Sequence, residues 1–211
     1  MCVSGIWQTT CTVVHSGDET FVVDSPVLPE ELEALPSVLQ QAGWELTGLL
    51  ATHADWDHML CRTVWADAPL GCAESTAAFL AAEPGTVQRE AREFDRKHYV
   101  ERRPLALGNV QALPVPGRLD VGGRELELHP AEGHTTDGMA IVVPWARVLI
   151  CGDYLSPWEE PMVTGGPDAY RATLERLRPL VRAAEWVVPG HGAPIAAQRA
   201  EEILDDHLGR L

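Results

Sequence analysis

Four times along this chain, a short apolar run ends in a loop that carries histidine or aspartate. Leu46 to Ala51 leads into Thr52-His53-Ala54-Asp55-Trp56-Asp57-His58. Leu126 to His129 leads into Glu132-Gly133-His134-Thr135, Arg147 to Cys151 into Gly152-Asp153, and Trp186 to Val188 into Pro189-Gly190-His191-Gly192. Apolar runs this short, bounded by turn residues, read as buried strands. Loops at strand ends, held by a rigid scaffold, are where reactive groups usually sit. Helical segments lie between the runs, and strands alternating with helices predict a layered α/β fold.

The intervening segments supply the layers. Ile6 to His15 and Phe21 to Val23 read as a hairpin around the turn Ser16-Gly17-Asp18-Glu19. Pro29-Glu30-Glu31 opens a helix with Leu32, Leu35, Val38 and Leu39 on one face. Pro36 kinks that helix or belongs to its first turn, and Gly43 ends it. Ala73 to Ala82 and Thr86 to Arg103 read as helices, the second strongly charged. Leu105 to Gly123, rich in proline and glycine, reads as loop and turns. Asp168 to Arg178 is amphipathic, with Tyr170, Leu174 and Leu177 on one side, and Ala196 to Leu208 reads as a terminal helix. A length of 211 residues fits one domain spanning 1–211, large enough to bury a core without staples.

Composition narrows the function by exclusion. The net charge of −15 disfavours nucleic acid and anionic membrane surfaces as partners and leaves a small-molecule substrate. No apolar run approaches the roughly 18 residues a membrane helix needs. The first residues, Met1-Cys2-Val3-Ser4-Gly5, lack the basic start and apolar core of a secretory signal, so a cytoplasmic location is expected. Cys2, Cys11, Cys61, Cys72 and Cys151 are odd in number and form no Cys-x-x-Cys pair, which argues for buried thiols rather than disulfides or a zinc ribbon. His15, His129 and His207 have no partner motif, and His98 sits on a charged helix. Oligomeric state is not legible.

The segment 53–58 holds two imidazoles and two carboxylates within six residues. Histidine grouped with carboxylates is the ligand chemistry of zinc, iron or manganese. Alternating candidates at 53, 55 and 57 suit an extended or turning backbone, on which adjacent Asp57 and His58 point apart. One short loop can then serve two metal ions about 3.5–4 Å apart, a spacing that clamps a substrate oxygen and activates water.

With its later Gly-His, Gly-Asp and Gly-His-Gly segments in that order, the sequence resembles the metallo-β-lactamase superfamily over nearly the whole chain up to His191. The resemblance implies a four-layer αββα sandwich with the metal site at one edge. It implies a first metal held by His53, the residue at 55 and His134, a second held by Asp57, His58 and His191, and Asp153 bridging both. It further implies a metal-bridging hydroxide as nucleophile, oriented by Asp57 as the catalytic carboxylate.

One position departs from the family pattern: residue 55 is Asp where His is usual. A carboxylate adds charge and a harder oxygen, favouring iron or manganese over an all-imidazole site. The flavodiiron branch similarly has an acidic residue there, but carries an additional flavodoxin-like domain for which this chain has no room. An Asp55 that points away, leaving one metal position incomplete, remains an alternative. Two divalent ions are expected, zinc first, with iron or manganese open.

Length and acidity separate the chain from the nuclease branches and from the glutathione-thioester branch with its basic C-terminal domain. Asp at 153 separates it from lactamases with Cys there. The expectation is a metal-dependent hydrolase of a small thioester, ester or lactone. An iron-dependent oxidoreductase and a non-catalytic metal-binding module are the alternatives. Tyr154 and Trp158, after the bridging aspartate, are the candidate substrate-binding residues. Trp56 and Met162 either line the pocket or fill space beneath it.

Overall fold

The computed structural model describes residues 1–160 and 162–211. Two six-stranded sheets stack at its centre. The first contains β1 (Cys2–Val3), β2 (Thr10–Ser16), β3 (Glu19–Asp24), β4 (Gly48–Leu50), β5 (Leu70–Ala73) and β6 (Val110–Leu113), adjacent in that order. The second contains β7 (Gly117–Val121), β8 (Arg124–Pro130), β9 (Met139–Val143), β10 (Val148–Ile150), β11 (Trp186–Val188) and β12 (Ile195–Ala196), again neighbours in sequence order. Helices α1 (Pro29–Ala42), α2 (Glu74–Ala82) and α3 (Thr86–His98) accompany the first sheet, and α4 (Pro167–Ala183) and α5 (Ala197–Arg210) the second.

The central strands β4, β5, β9 and β10 are apolar throughout because both their faces are largely dry. Successive side chains point to opposite sides of a sheet. Val22 and Leu49 pack outward with Leu32, Leu35 and Leu39 of α1 and Val87, Ala91 and Phe94 of α3. Their neighbours Val23 and Leu50 point inward and meet Leu126, Leu128, Ile141, Ile150 and Val188 of the other sheet. Across the sandwich, Ala140, Leu149 and Val187 face outward onto Tyr170, Leu174, Leu177 and Val181 of α4 and Ala200, Ile203 and Leu204 of α5. The four layers are therefore α, β, β, α, each sheet face buried.

The elements differ from the sequence expectation where tertiary pairing outweighs local signal. Residues 105–123, expected as loop and turns, contain β6 and β7. These are edge strands, β6 pairing parallel with β5 and β7 antiparallel with β8, and their half-exposed faces lack the apolar alternation of a core strand. The first hairpin strand begins at Thr10 rather than Ile6, because Trp7 and Gln8 adopt positive φ (55° and 52°) and turn the chain. Helix α3 stops at His98, where Tyr99 enters the left-handed region, and does not reach Arg103. Helix α4 runs through Pro179 to Ala183, longer than the expected Asp168–Arg178. Pro36 lies inside α1, beyond its first turn.

Candidate metal centre

Every candidate ligand sits at a strand end on one edge of the sandwich. The segment after β4 contributes His53, Asp55, Asp57 and His58. The turn between β8 and β9 contributes His134, the loop after β10 contributes Asp153, and the loop after β11 contributes His191. Trp56 to His58 form a single 3₁₀ turn, started where the His58 amide donates to the Asp55 carbonyl at 3.1 Å. On this tight turn Asp57 and His58 do not point apart, as an extended backbone would have them: their ligand atoms lie 3.8 Å from each other, in one group. Trp56 anchors it, its ring 4.7 Å from Phe94 and 5.5 Å from Trp7 between centroids. Ser25 fixes the far side: its hydroxyl donates to the Asp57 carbonyl at 2.6 Å and accepts from the Leu60 amide at 3.0 Å.

The side chains converge in three overlapping groups. His53, Asp55, His134 and Asp153 each offer one ligand atom within 4.8 Å of the others, and so do Asp57, His58 and His191, and Asp153, Glu159 and His191. Asp55 turns inward, its Oδ2 lying 3.3 Å from His134 Nε2 and 3.5 Å from His53 Nε2. Asp153 stands between the first two groups. Its Oδ2 is 3.3 Å from His134 Nε2, 3.2 Å from His191 Nε2 and 3.8 Å from His53 Nε2, while Oδ1 is 3.2 Å from His58 Nε2. Asp57 Oδ2 lies 3.5 Å from His191 Nε2 and 3.8 Å from His58 Nε2.

The outer nitrogens of His134 and His191 are hydrogen-bonded to carbonyls, which aims the inner ones. His134 Nδ1 donates to the Met162 carbonyl at 2.6 Å and His191 Nδ1 to the Trp7 carbonyl at 2.8 Å. A proton fixed on Nδ1 leaves the Nε2 lone pair for a metal. His53 Nδ1 is 3.0 Å from the Thr52 hydroxyl, and His58 Nδ1 lies 3.2 Å from Asp24 Oδ2. Asp24 also accepts from the Thr52 amide and hydroxyl, at 2.8 and 2.9 Å. The Ala54 amide donates to Asp137 at 3.0 Å, and the Thr9 hydroxyl to Asp57 at 3.4 Å.

Without cations, the acidic and basic groups of this site neutralise one another. Burial opposes charge on His134, but the Asp153 and Asp55 carboxylates outweigh it and push its pKa up to about 10. His191 is likewise penalised by burial yet raised to about 9 by Asp153. His58 is raised well above its ordinary value against its own burial, by Asp153, Asp57 and Asp24. Burial would raise Asp55 and Asp153, but the surrounding imidazoles hold both below the usual carboxylate range.

The residues fit a metal pair. His53 Nε2, His58 Nε2 and Asp153 Oδ1 are buried with no hydrogen-bond partner among the described residues. Buried polar atoms rarely go unpaired, and three that converge mark a place for a ligand. Space is kept for it: a Cβ on Gly190 would run into Asp153 Oδ1 and lie 3.0 Å from His58 Cε1. Imidazole and carboxylate together suit zinc, iron or manganese.

A cleft of about 430 Å³ opens over the centre, lined among others by Trp7, Asp55, Trp56, Asp57, His134 and His191. The two candidate substrate contacts lie elsewhere. Tyr154 is buried, its hydroxyl accepting from the His134 amide at 2.9 Å and donating to the Ala131 carbonyl at 3.3 Å, with its ring stacked on Tyr170. Leu155, at φ 62°, turns the chain so that Tyr154 points into the core beneath His134. That hydroxyl is buried beneath His134 and does not line the cleft. Trp158 is half exposed and stacks over His191 at 6.5 Å, outside the residues lining the cleft. Met162 and Trp56 do line it. Sequence reading passed over Trp7, Thr9, Asp24, Ser25, Asp137, Glu90 and Glu159. Asp24 alone had a visible signal, since Phe21-Val22-Val23-Asp24 is a fifth apolar run ending in an acid.

The fold and centre together define an αββα protein with a clustered set of candidate metal ligands. The metallo-β-lactamase superfamily model matches residues 4–191, and the chain belongs to that superfamily of metallohydrolases. It is similar to proteins named hydroxyacylglutathione hydrolase. One from Ruegeria pomeroyi is 26% identical over 80% of this chain, and one from Rhodobacter capsulatus is 28% identical over 98%. The chain spans 56% and 68% of their respective lengths. A metallo-β-lactamase family protein from Thermus thermophilus superposes with a TM-score of 0.73 at 22% identity, covering 100% of this chain and 78% of its own. TTHA1623, solved in a di-iron-bound form, superposes with a TM-score of 0.69 at 22% identity, covering 95% and 96%. Among the described residues, no helix is long and apolar enough to cross a membrane.

Proposed function

We propose that this chain hydrolyses a small ester, thioester or lactone at a dinuclear centre, with His53, Asp55 and His134 holding one divalent ion, Asp57, His58 and His191 the other, and Asp153 shared. The observation that carries this is the convergence of two ligand groups on Asp153 at the floor of an open cleft. When bound, such a pair supplies Lewis acidity and lowers the pKa of water to near neutrality. The protein supplies the rest. Asp57 accepts a hydrogen bond from the attacking water and orients it, while Thr9 holds the Asp57 carboxylate from behind. The carbonyls of Met162 and Trp7 keep His134 and His191 in one tautomer. The names of the relatives support the thioester class.

The Asp55 carboxylate favours a second reading, an iron-dependent oxidoreductase, and the di-iron form of TTHA1623 is compatible with it. Metal analysis of protein purified without added metal, paired with an ester, thioester and lactone panel, separates them. Two colourless divalent ions and turnover support the hydrolase. Stoichiometric iron with a visible absorption band and no hydrolysis overturns it. Asp57→Ala should abolish hydrolysis, and near-normal turnover would remove Asp57 from its role.

A further inference from the structure

We propose that the cleft selects a carbonyl substrate bearing a positive charge, recognised by the carboxylates of Glu90 and Glu159 and the exposed ring of Trp7; this rests on the hydrolase reading above. The described residues lining the cleft include Glu90, Glu159 and Glu160 besides the ligands, and none is lysine or arginine. Three ligand aspartates and one hydroxide balance two divalent ions, so the rim decides the sign the substrate meets.

The acids of the cleft differ in their pairing. Arg210 pairs with both Glu160 and Asp206, which removes Glu160 from the balance. Arg89 donates to the Thr86 hydroxyl at 2.8 Å and lines a neighbouring groove rather than this cleft. Glu90 has no ion-pair partner within 4 Å among the described residues. Glu159 lies 3.5 Å from His191 Nδ1, but that nitrogen already donates to the Trp7 carbonyl at 2.8 Å. Glu159 lines the cleft beside Asp153 and His191. Trp7 supplies an independent observation. It is 41% exposed, held by an unusual positive-φ backbone, and braced edgewise against Trp56 and Phe94. An exposed indole that lines one cleft with two carboxylates is a combination that binds an ammonium group, by charge and by cation–π attraction.

The test is a matched series of acetate esters: a trimethylammonioethyl ester, its neutral tert-butyl isostere and an ester of the same length ending in carboxylate. A unit charge about 6 Å away in a wet cleft changes kcat/KM by roughly three- to tenfold. The cationic ester should exceed the neutral one by about that factor per carboxylate, with the anionic ester disfavoured. Raising ionic strength to about 0.5 M should compress the order. Glu90→Gln and Glu159→Gln should each cut the cationic-to-neutral ratio by the same factor, and Trp7→Leu should lower it too. Calorimetry with the non-hydrolysable ethers reads the same preference without turnover. Tighter binding of the cationic ether with no ester hydrolysed would keep the charge selection and remove the hydrolase reading. Equal or inverted preference in both binding and turnover, or a ratio unchanged in the Glu90→Gln, Glu159→Gln double variant, overturns the proposal.

Discussion

Asp153→Asn keeps the shape of the side chain and removes its charge from the one position that faces four imidazoles. Asp153 lies 3.2 Å from His58 and His191, 3.3 Å from His134 and 3.8 Å from His53. The rise of His191 from 6.5 to about 9 corresponds to roughly 3 kcal/mol in favour of the imidazolium. Asp153 is the largest favourable contributor to that rise, and for His134 it shares the role with Asp55. The substitution should therefore lower the His191 midpoint by about one to two pH units, and His134 by less because Asp55 remains. Nitrogen-15 NMR of histidine-labelled, chelator-stripped protein reads both midpoints directly. The same variant should bind fewer than two metal ions, because the shared ligand is gone. Unchanged midpoints would refute the electrostatic account, and an unchanged metal count would refute the bridging position.

Asp55→His should shift competition between iron and zinc toward zinc, and superimposable competition curves would show that Asp55 is not a ligand. Tyr154→Phe leaves the buried His134 amide without its acceptor and should cost about 1–3 kcal/mol in denaturant unfolding; lost turnover at unchanged stability would instead give the hydroxyl a role with substrate. The metal-free protein should show a stability plateau bounded on both sides. His134 and His191 have raised folded values, so their contribution is complete below 6.5 and is lost as pH rises through about 9 to 10. Asp55 and Asp153 have depressed folded values, so theirs is present above 3.8 and lost as pH falls. A denaturation midpoint that stays flat from neutral pH to about 10 would contradict this assignment.

The seven candidate ligands were legible because metal chemistry restricts residue type, and strand ends restrict place. The sandwich was legible for a related reason: strands with two dry faces are continuously apolar. What escaped depended on partners distant in sequence. The edge strands β6 and β7 carry little apolar signal, since half their surface meets solvent. Tyr154 looked like a cleft residue because it follows a ligand, and only the turn at Leu155 sends it inward. Trp7 reaches His191 across 184 positions of chain, and no local pattern encodes that contact. Glu90 and Glu159 sit in charged stretches where one more acid carries no distinguishing mark.

The ligand groups of His53 and of His58 each draw from both sheets. His53, Asp55, Asp57 and His58 follow a strand of the first, whereas His134, Asp153 and His191 follow strands of the second. Cations seated there would rivet the two halves of the sandwich along one edge, closing a loop from His53 to His191 much as a crosslink does. Loading would then act as a fastener, since each of these two candidate ligand groups needs residues from both sheets. Once seated, the ions resist separation of the sheets by an amount that grows with the logarithm of free metal. A chelator would accordingly do more than silence the chemistry, because it would unpin the sandwich along the edge where substrate enters.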